Sequence, residues 1–300
     1  MSRFLWLIRR EVWEHKAIWI APSIVIACLF VMLAFARAHL GFDVGMSFGG
    51  LDKDAHVVLH GFAYLVVAAI VFFVMGVIAF FYAIDSLYAD RNDRSVLFWK
   101  SMPLSDAETV LSKFATGAVV VPVVALIGSV IAQVVTGGVL TAKLAVSGEP
   151  FGFWLHPQSL AGGALFATLA CVSVTLWYAP LIAYLMLASA WAPRAPFLWA
   201  VLPPVVAILL ERIVIQTSYI QDFVAARLFG VLAVFRDLGG QLDGPDPKSL
   251  GELADRLARV DIAQSLRDFY ASPELWLGVL AAGLLLLGAM WVRRYRDETS

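Results

Sequence analysis

DSLYADRNDRSVLFWKSMPLSDAETVLSK, Asp85 to Lys113, is the stretch whose reading decides the fold. It is dense in charge, yet it lies between two apolar runs, Val57 to Ile84 and Phe114 to Leu140. Each run exceeds the roughly 20 residues that a helix needs to cross a bilayer, so the polar island between them sits at a membrane surface. Asp90 and Arg94 stand four apart in the acidic-then-basic order that supports a helix. Val96 to Trp99 supplies apolar anchors, and Pro103 stops that helix. Ser105 and Glu108 form an S-x-x-E pattern, which predicts a second helix beginning at Asp106. The segment reads as helix, sharp turn and helix across the membrane face, a shape able to pass a push from a docked partner into two spans.

Composition carries the same message along the whole chain. It is 61% hydrophobic and 15% charged, with a mean hydropathy of +0.81. Soluble domains run about 45–50% apolar and about 25% charged, and no soluble fold hides this much apolar surface. The net charge of −1 offers no basic field for nucleic acid. Cys28 and Cys171 both fall inside apolar runs and read as small packing residues. The N-terminus lacks a short apolar core followed by a small-residue cleavage site, so its first apolar run reads as a retained span.

Six spans follow. Residues 1–16 alternate apolar and basic side chains, with Phe4, Leu5, Ile8 and Val12 at helical spacing and Trp6 and Trp13 suited to the headgroup layer, which predicts an interfacial helix. The spans are expected over 17–38, 57–84, 114–140, 160–190, 197–215 and 274–292. The second is long enough to tilt or protrude. In the third, Pro122 is expected to kink the helix. The fourth opens with Ala161, Gly162, Gly163 and Ala164, small residues that permit close helix approach. The fifth is expected to be interrupted at Pro203-Pro204. Beyond it, residues 216–273 form an insert, with a turn-rich link at Leu238 to Pro247 and an amphipathic helix over Ser249 to Tyr270. The fold class is therefore all-α, a polytopic helical membrane protein.

An even number of spans puts both termini on one side. Basic residues gather in the leader (Arg3, Arg9, Arg10, Lys16), in the Asp85 to Lys113 segment (Arg91, Arg94, Lys100, Lys113), at Arg194 and in the tail, while the two short opposite loops hold only Lys53 and Lys143. The positive-inside rule makes the first set cytoplasmic and the insert external.

The sequence has no GxxxxGK[ST] to cradle nucleotide phosphates and no HExxH. The span interiors are nearly free of charge, which argues against a proton-driven transporter. His56 and His60 share a helix face at i, i+4 but have no evident third ligand, so polar capping of a span is the favoured reading over a metal site. An intramembrane enzyme built on His56, His60 or Asp85 has no nucleophile and base pairing to work with. A membrane sensor or assembly scaffold, binding an external partner through 211–273, remains the alternative from a different class.

Tyr88-Ala89-Asp90-Arg91, the run from Leu97 to Asp106 and Thr109 to Lys113 resemble the loop between the second and third spans of bacterial type-2 ABC exporter permeases. The resemblance in motif covers about 30 residues, and the topology matches over nearly the whole chain. It implies that this loop is a coupling helix seated in a cleft of a separate ATPase. The docking residues would be Asp90, Arg91, Arg94, Leu97, Phe98, Lys100, Met102, Pro103, Leu104 and Ser105. It further implies no cofactor in this chain, ATP and Mg held by the partner, and two ATPase copies with a second permease chain as a homodimer. The expected setting is the bacterial inner membrane, with lipid around it and no nucleic acid partner. The insert is larger than the short re-entrant hairpin usual in that family.

Overall fold

A computed structural model describes residues 3–35, 53–92, 105–147, 155–230, 252 and 262–296. Every regular element among them is helical. A short helix, α1 (Arg3–Glu14), leads into α2 (Ala17–Phe35), followed by α3 (Lys53–Asn92) and α4 (Asp106–Ala115). A π-helical turn at Thr116–Val120 joins α4 to α5 (Val121–Ser147), and α6 (Pro157–Trp191) and α7 (Pro196–Leu210) follow. Another π turn, Glu211–Ile215, leads to α8 (Tyr219–Phe229), and then come α9 (Ile262–Ala271) and α10 (Pro273–Arg296). Six of these stretches are long and apolar enough to cross a membrane: α2, α3, α4 with α5, α6, α7 with its π turn, and α10.

The helix of the second span does not end at Ile84. Helix α3 continues unbroken to Asn92 and, at 40 residues, is about 60 Å long. No glycine, proline or cap interrupts Ala83 to Asn92, so the polar start of the Asp85 segment is the helical extension of a span. At its other end Ser105 caps α4 as the pattern predicts. The Ser105 hydroxyl accepts from Glu108 N–H at 3.1 Å, and the Glu108 carboxylate accepts from Ser105 N–H at 2.9 Å.

Pro122 has no N–H for the Ala118 carbonyl four residues back, and the helix just before it widens into a π turn, where Val121 N–H reaches Thr116 O. The expected interruption at Pro203-Pro204 does not occur. Helix α7 runs through both prolines, and the Ala200 carbonyl that Pro204 leaves unserved accepts from Tyr184 Oη of α6 at 2.8 Å.

Helix α6 is the hub, packed on α3, α5, α7 and α10. Close approach is bought by single glycines. A Cβ on Gly163 would come 2.7 Å from Gln133 Oε1, and one on Gly128 3.2 Å from Pro22 Cβ, whereas Gly162 has open space. Of the expected small-residue run, Gly163 is the glycine that the packing requires.

The turn between α6 and α7 holds Ala195 in the left-handed region at φ 50°, followed by Pro196 in the first turn of α7. Gln216, at φ 58°, ends the second π turn. There the buried Glu211 carboxylate folds over the start of α8, accepting from Thr217 Oγ1 at 2.8 Å and Ile220 N–H at 2.7 Å. The described part of the insert does not stand away from the bundle. Arg227 of α8 reaches Trp177, 20 residues and about 30 Å along α6 from its first residue. The turn-rich link at 238–247 and most of the expected amphipathic helix lie outside the described residues; α9 is its C-terminal part.

Candidate functional site

The ends of the Asp85 to Lys113 segment meet α1 and α10 at one end of the bundle. Glu11 of α1 is fully buried and lies 3.1 Å from Lys113 Nζ of α4. Lys113 Nζ also lies 3.3 Å from Asp90 Oδ1 of α3. Asp90 Oδ2 accepts from Arg293 Nη1 of α10 at 3.1 Å, and Arg293 Nε donates to Asp106 Oδ1 at 3.2 Å. Arg10 adds a contact of 2.6 Å to Glu11, and Tyr82 Oη donates to the same carboxylate at 3.0 Å. Arg10 also lies 3.4 Å from Glu14, so three cations and four carboxylates form one chain of pairs across four helices. Lys113 and Arg293 keep only 2% and 5% of their side-chain surface exposed.

Burial alone pushes the Glu11 carboxyl up. The adjacent Lys113 and Arg10 charges and their hydrogen bonds outweigh it and hold Glu11 below the usual glutamate value. The carboxylate therefore stays ionised at neutral pH, and it is locked into place by Lys113 from α4 and by Arg10 beside it in α1. Buried pairs of this kind contribute little as an isolated sum but are costly to break from one side, which makes them a device for fixing geometry.

Helix α1 reaches this site because its faces divide differently from the simple apolar spacing. Leu7, Glu11 and Val12 are the buried residues, while Leu5, Trp6 and Trp13 are exposed. The Arg9 guanidinium sits over the Trp6 and Trp13 rings at 5.9 and 6.0 Å, on the outward side.

Of the sequence-predicted docking residues, the structure describes Asp90, Arg91 and Ser105. The Asp90 carboxylate is occupied by Lys113 and Arg293. Arg91 Nη2 donates to the carbonyls of Ser189 and Ala192 at 2.6 and 2.9 Å, closing the C-terminal end of α6. Ser189 Oγ in turn accepts from Leu87 and Tyr88 N–H at 3.1 and 2.9 Å, tying α3 to α6. Ser105 is the exposed cap of α4. Arg94, Leu97, Phe98, Lys100, Met102, Pro103 and Leu104 lie outside the described residues. Glu11, Tyr82, Lys113 and Arg293 were not singled out from the sequence as a site. The signal for Glu11 was an acid four residues after Leu7 in a basic leader; Lys113 and Arg293 resembled ordinary basic residues flanking spans.

A second feature lies in the middle of the bundle. A partly open cavity of about 550 Å³ is lined by α3, the π turn with α5, and α6, with Leu228, Phe229, Leu266 and Phe269 from α8 and α9 along one side. None of its described lining residues is charged. His60 is buried on α3, outside this cavity, while nothing is described of the His56 side chain.

Residues 57–154 match a family model described as ABC-2 family transporter protein. That region, about a third of the chain, runs from α3 to beyond the end of α5 and contains both anchors of the polar segment. With six membrane-length helices alongside it, the chain fits a type-2 ABC permease. No curated protein and no solved structure matches it. ABC-2 permeases are generally non-catalytic, multi-pass membrane subunits that work with an ATPase partner.

Proposed function

We propose that the chain is the transmembrane permease subunit of an ATP-driven exporter. A separate ATPase hydrolyses ATP with Mg, and the permease couples that cycle to export of an amphipathic, lipid-like or hydrophobic peptide cargo. The observation that carries this reading is the ion chain Glu11–Lys113–Asp90–Arg293–Asp106. Both ends of the polar segment, Asp90 before it and Asp106 with Lys113 after it, are bound to each other and to α1 and α10. A displacement applied between these anchors therefore moves the ends of three spans together, instead of being absorbed by a slack loop. In this reading Asp90 and Arg91 hold the base of the coupling segment. Arg94, Leu97, Phe98, Lys100, Met102, Pro103 and Leu104 face the ATPase, with Ser105 at the rim.

The working unit is two permease chains with two ATPase chains in the bacterial inner membrane. Both termini and the coupling segment are cytoplasmic, α1 lies in the interface on its tryptophan-bearing side, and 216–273 belongs to the opposite side. Co-purification tests it. The ATPase encoded beside this chain should be retained by the unaltered permease and lost with Phe98→Asp combined with Arg94→Glu. Retention by that double variant rejects the docking assignment. Failure of the unaltered chain to retain any ATPase, with capture of a periplasmic protein instead, favours the scaffold reading.

A further inference from the structure

The walls of the apolar cavity are unusually short of free polar chemistry. Ser173 Oγ, on the α6 side, is paired with Tyr270 Oη of α9 at 2.9 Å. Tyr178 Oη donates to the Leu228 carbonyl of α8 at 2.9 Å. With those two hydroxyls engaged, Thr175 as the remaining hydroxyl and no charged group in the described lining, the wall recognises a guest mainly by shape and apolar contact. Apolar cavities of this kind stay dry and accept apolar guests. Its volume of about 550 Å³ falls within the range, about 300–1,000 Å³, of sites that enclose one small organic molecule. On α3 the wall is open sideways: Phe73 and Phe81 are largely exposed, and a Cβ added to Gly76 meets nothing within 4 Å.

The side formed by α8 and α9 is built differently from the rest. Helix α8 has no buried residue among those described. It is held by a small set of polar ties, with Trp177 Nε1 donating to Arg227 O at 3.0 Å and Arg227 Nη2 donating to Glu274 O at 3.1 Å. The Arg227 guanidinium also stacks over the Trp177 ring at 4.6 Å. An element without buried apolar anchors opens at lower cost than the spans beneath it. A site for a permanently bound lipid needs no removable wall, whereas a site that must release its guest does.

We propose that this cavity, within a single permease chain, binds the uncharged apolar part of the cargo, a single acyl chain or hydrophobic body of similar size. The guest enters across the open α3 side with any charged headgroup left outside, and α8 with α9 is the wall that moves to release it. This rests on the permease reading above and narrows the cargo to molecules with one such apolar part.

Photolabelling decides it. The permease and its ATPase in phospholipid nanodiscs are irradiated with a diazirine-bearing palmitate, and adducts are mapped by peptide mass spectrometry. Adducts are expected on peptides carrying Phe166 and Phe269, above those on the outward Phe30 of α2. Gly76→Phe and Ala170→Phe, which fill the cavity from opposite walls, should each reduce cavity adducts about tenfold, the loss that overfilling an apolar site produces. Vanadate trapping after ATP hydrolysis should reduce them in the unaltered complex. If one filling variant misfolds by size exclusion, the other decides. Adducts spread evenly over outward faces and indifferent to both fillings overturn the site. Adducts removed by filling but unchanged by trapping identify a resident lipid and overturn the cargo assignment. Labelling is read on the permease chain even without ATPase, so loss of the ATPase counts against the permease reading and not against the cavity.

Discussion

Lys113 and Glu11, 102 residues apart, meet at 3.1 Å with side chains that are 2% and 0% exposed. Helices α1 and α4 are thereby joined by a charge pair that neither helix could keep buried alone. Removing one partner leaves the other buried with fewer counter-charges, Lys113 with Asp90 and Glu11 with Arg10, at a cost below the roughly 3–5 kcal/mol of a buried charge left with none. Glu11→Gln and Lys113→Met should each lower the melting temperature strongly. The double variant should lose less than the sum of the two, and additive losses in the thermal unfolding of the detergent-solubilised protein would show that the pair is not coupled.

The pH dependence has a definite sign. Glu11 is held below its ordinary value in the fold, so the unfolded chain takes up its proton first as pH falls. Its contribution is fully present above the ordinary glutamate value and is lost as pH drops through the lowered one. The melting-temperature gap between the unaltered protein and Glu11→Gln should be widest near neutrality and should close in the acid range. A gap that widens on acidification contradicts this.

Tyr184 serves a carbonyl that Pro204 abandons. Tyr184→Phe should cost about 1–3 kcal/mol, because it leaves Ala200 O unpaired inside the bundle. In a Pro204→Ala background the restored backbone N–H can take that carbonyl, and Tyr184→Phe should then cost little. An equal cost in both backgrounds, measured by chemical unfolding, would refute the assignment.

Ser105→Ala removes one half of the reciprocal cap on α4 and should cost about 0.5–2 kcal/mol. Hydrogen exchange should quicken at the amides of Asp106 to Thr109, while peptides of α6 stay unchanged. Unaltered exchange in that first turn would mean the cap is not needed to hold it.

Gly278 faces Arg227, and a Cβ there would run into the guanidinium. Gly278→Val should push the Arg227 guanidinium off the Trp177 ring and raise exchange across Tyr219 to Phe229, at little cost to the spans because only the end of a flexible side chain has to shift. Exchange should stay slow in α3. A uniform rise across the bundle would mean that the glycine supports the spans instead.

The architecture was legible in the sequence because its rules are local. A bilayer demands about 20 apolar residues per span, and six runs met that demand wherever a helix now lies. The Ser105/Glu108 cap was equally readable, since both partners sit within one turn. A helix around Asp90 to Arg94 was readable from the i, i+4 pair, but its continuity with the second span was not; α3 runs unbroken to Asn92 because nothing in Asp85 to Asn92 breaks a helix. At Pro203-Pro204 local propensity pointed to a break, and a hydroxyl from another helix overrode it.

The site divides along the same line. The sequence by itself determined that Asp85 to Lys113 is a polar segment between two spans, with a capped helix at its C-terminal end. Only the tertiary structure decided that Asp90 turns inward to Lys113 and Arg293, the latter 203 residues away, and that Glu11 closes the chain from α1. Residue types show which charges exist. Which of them are buried together depends on three helix ends and a leader arriving at one place, and that is set by packing around α6.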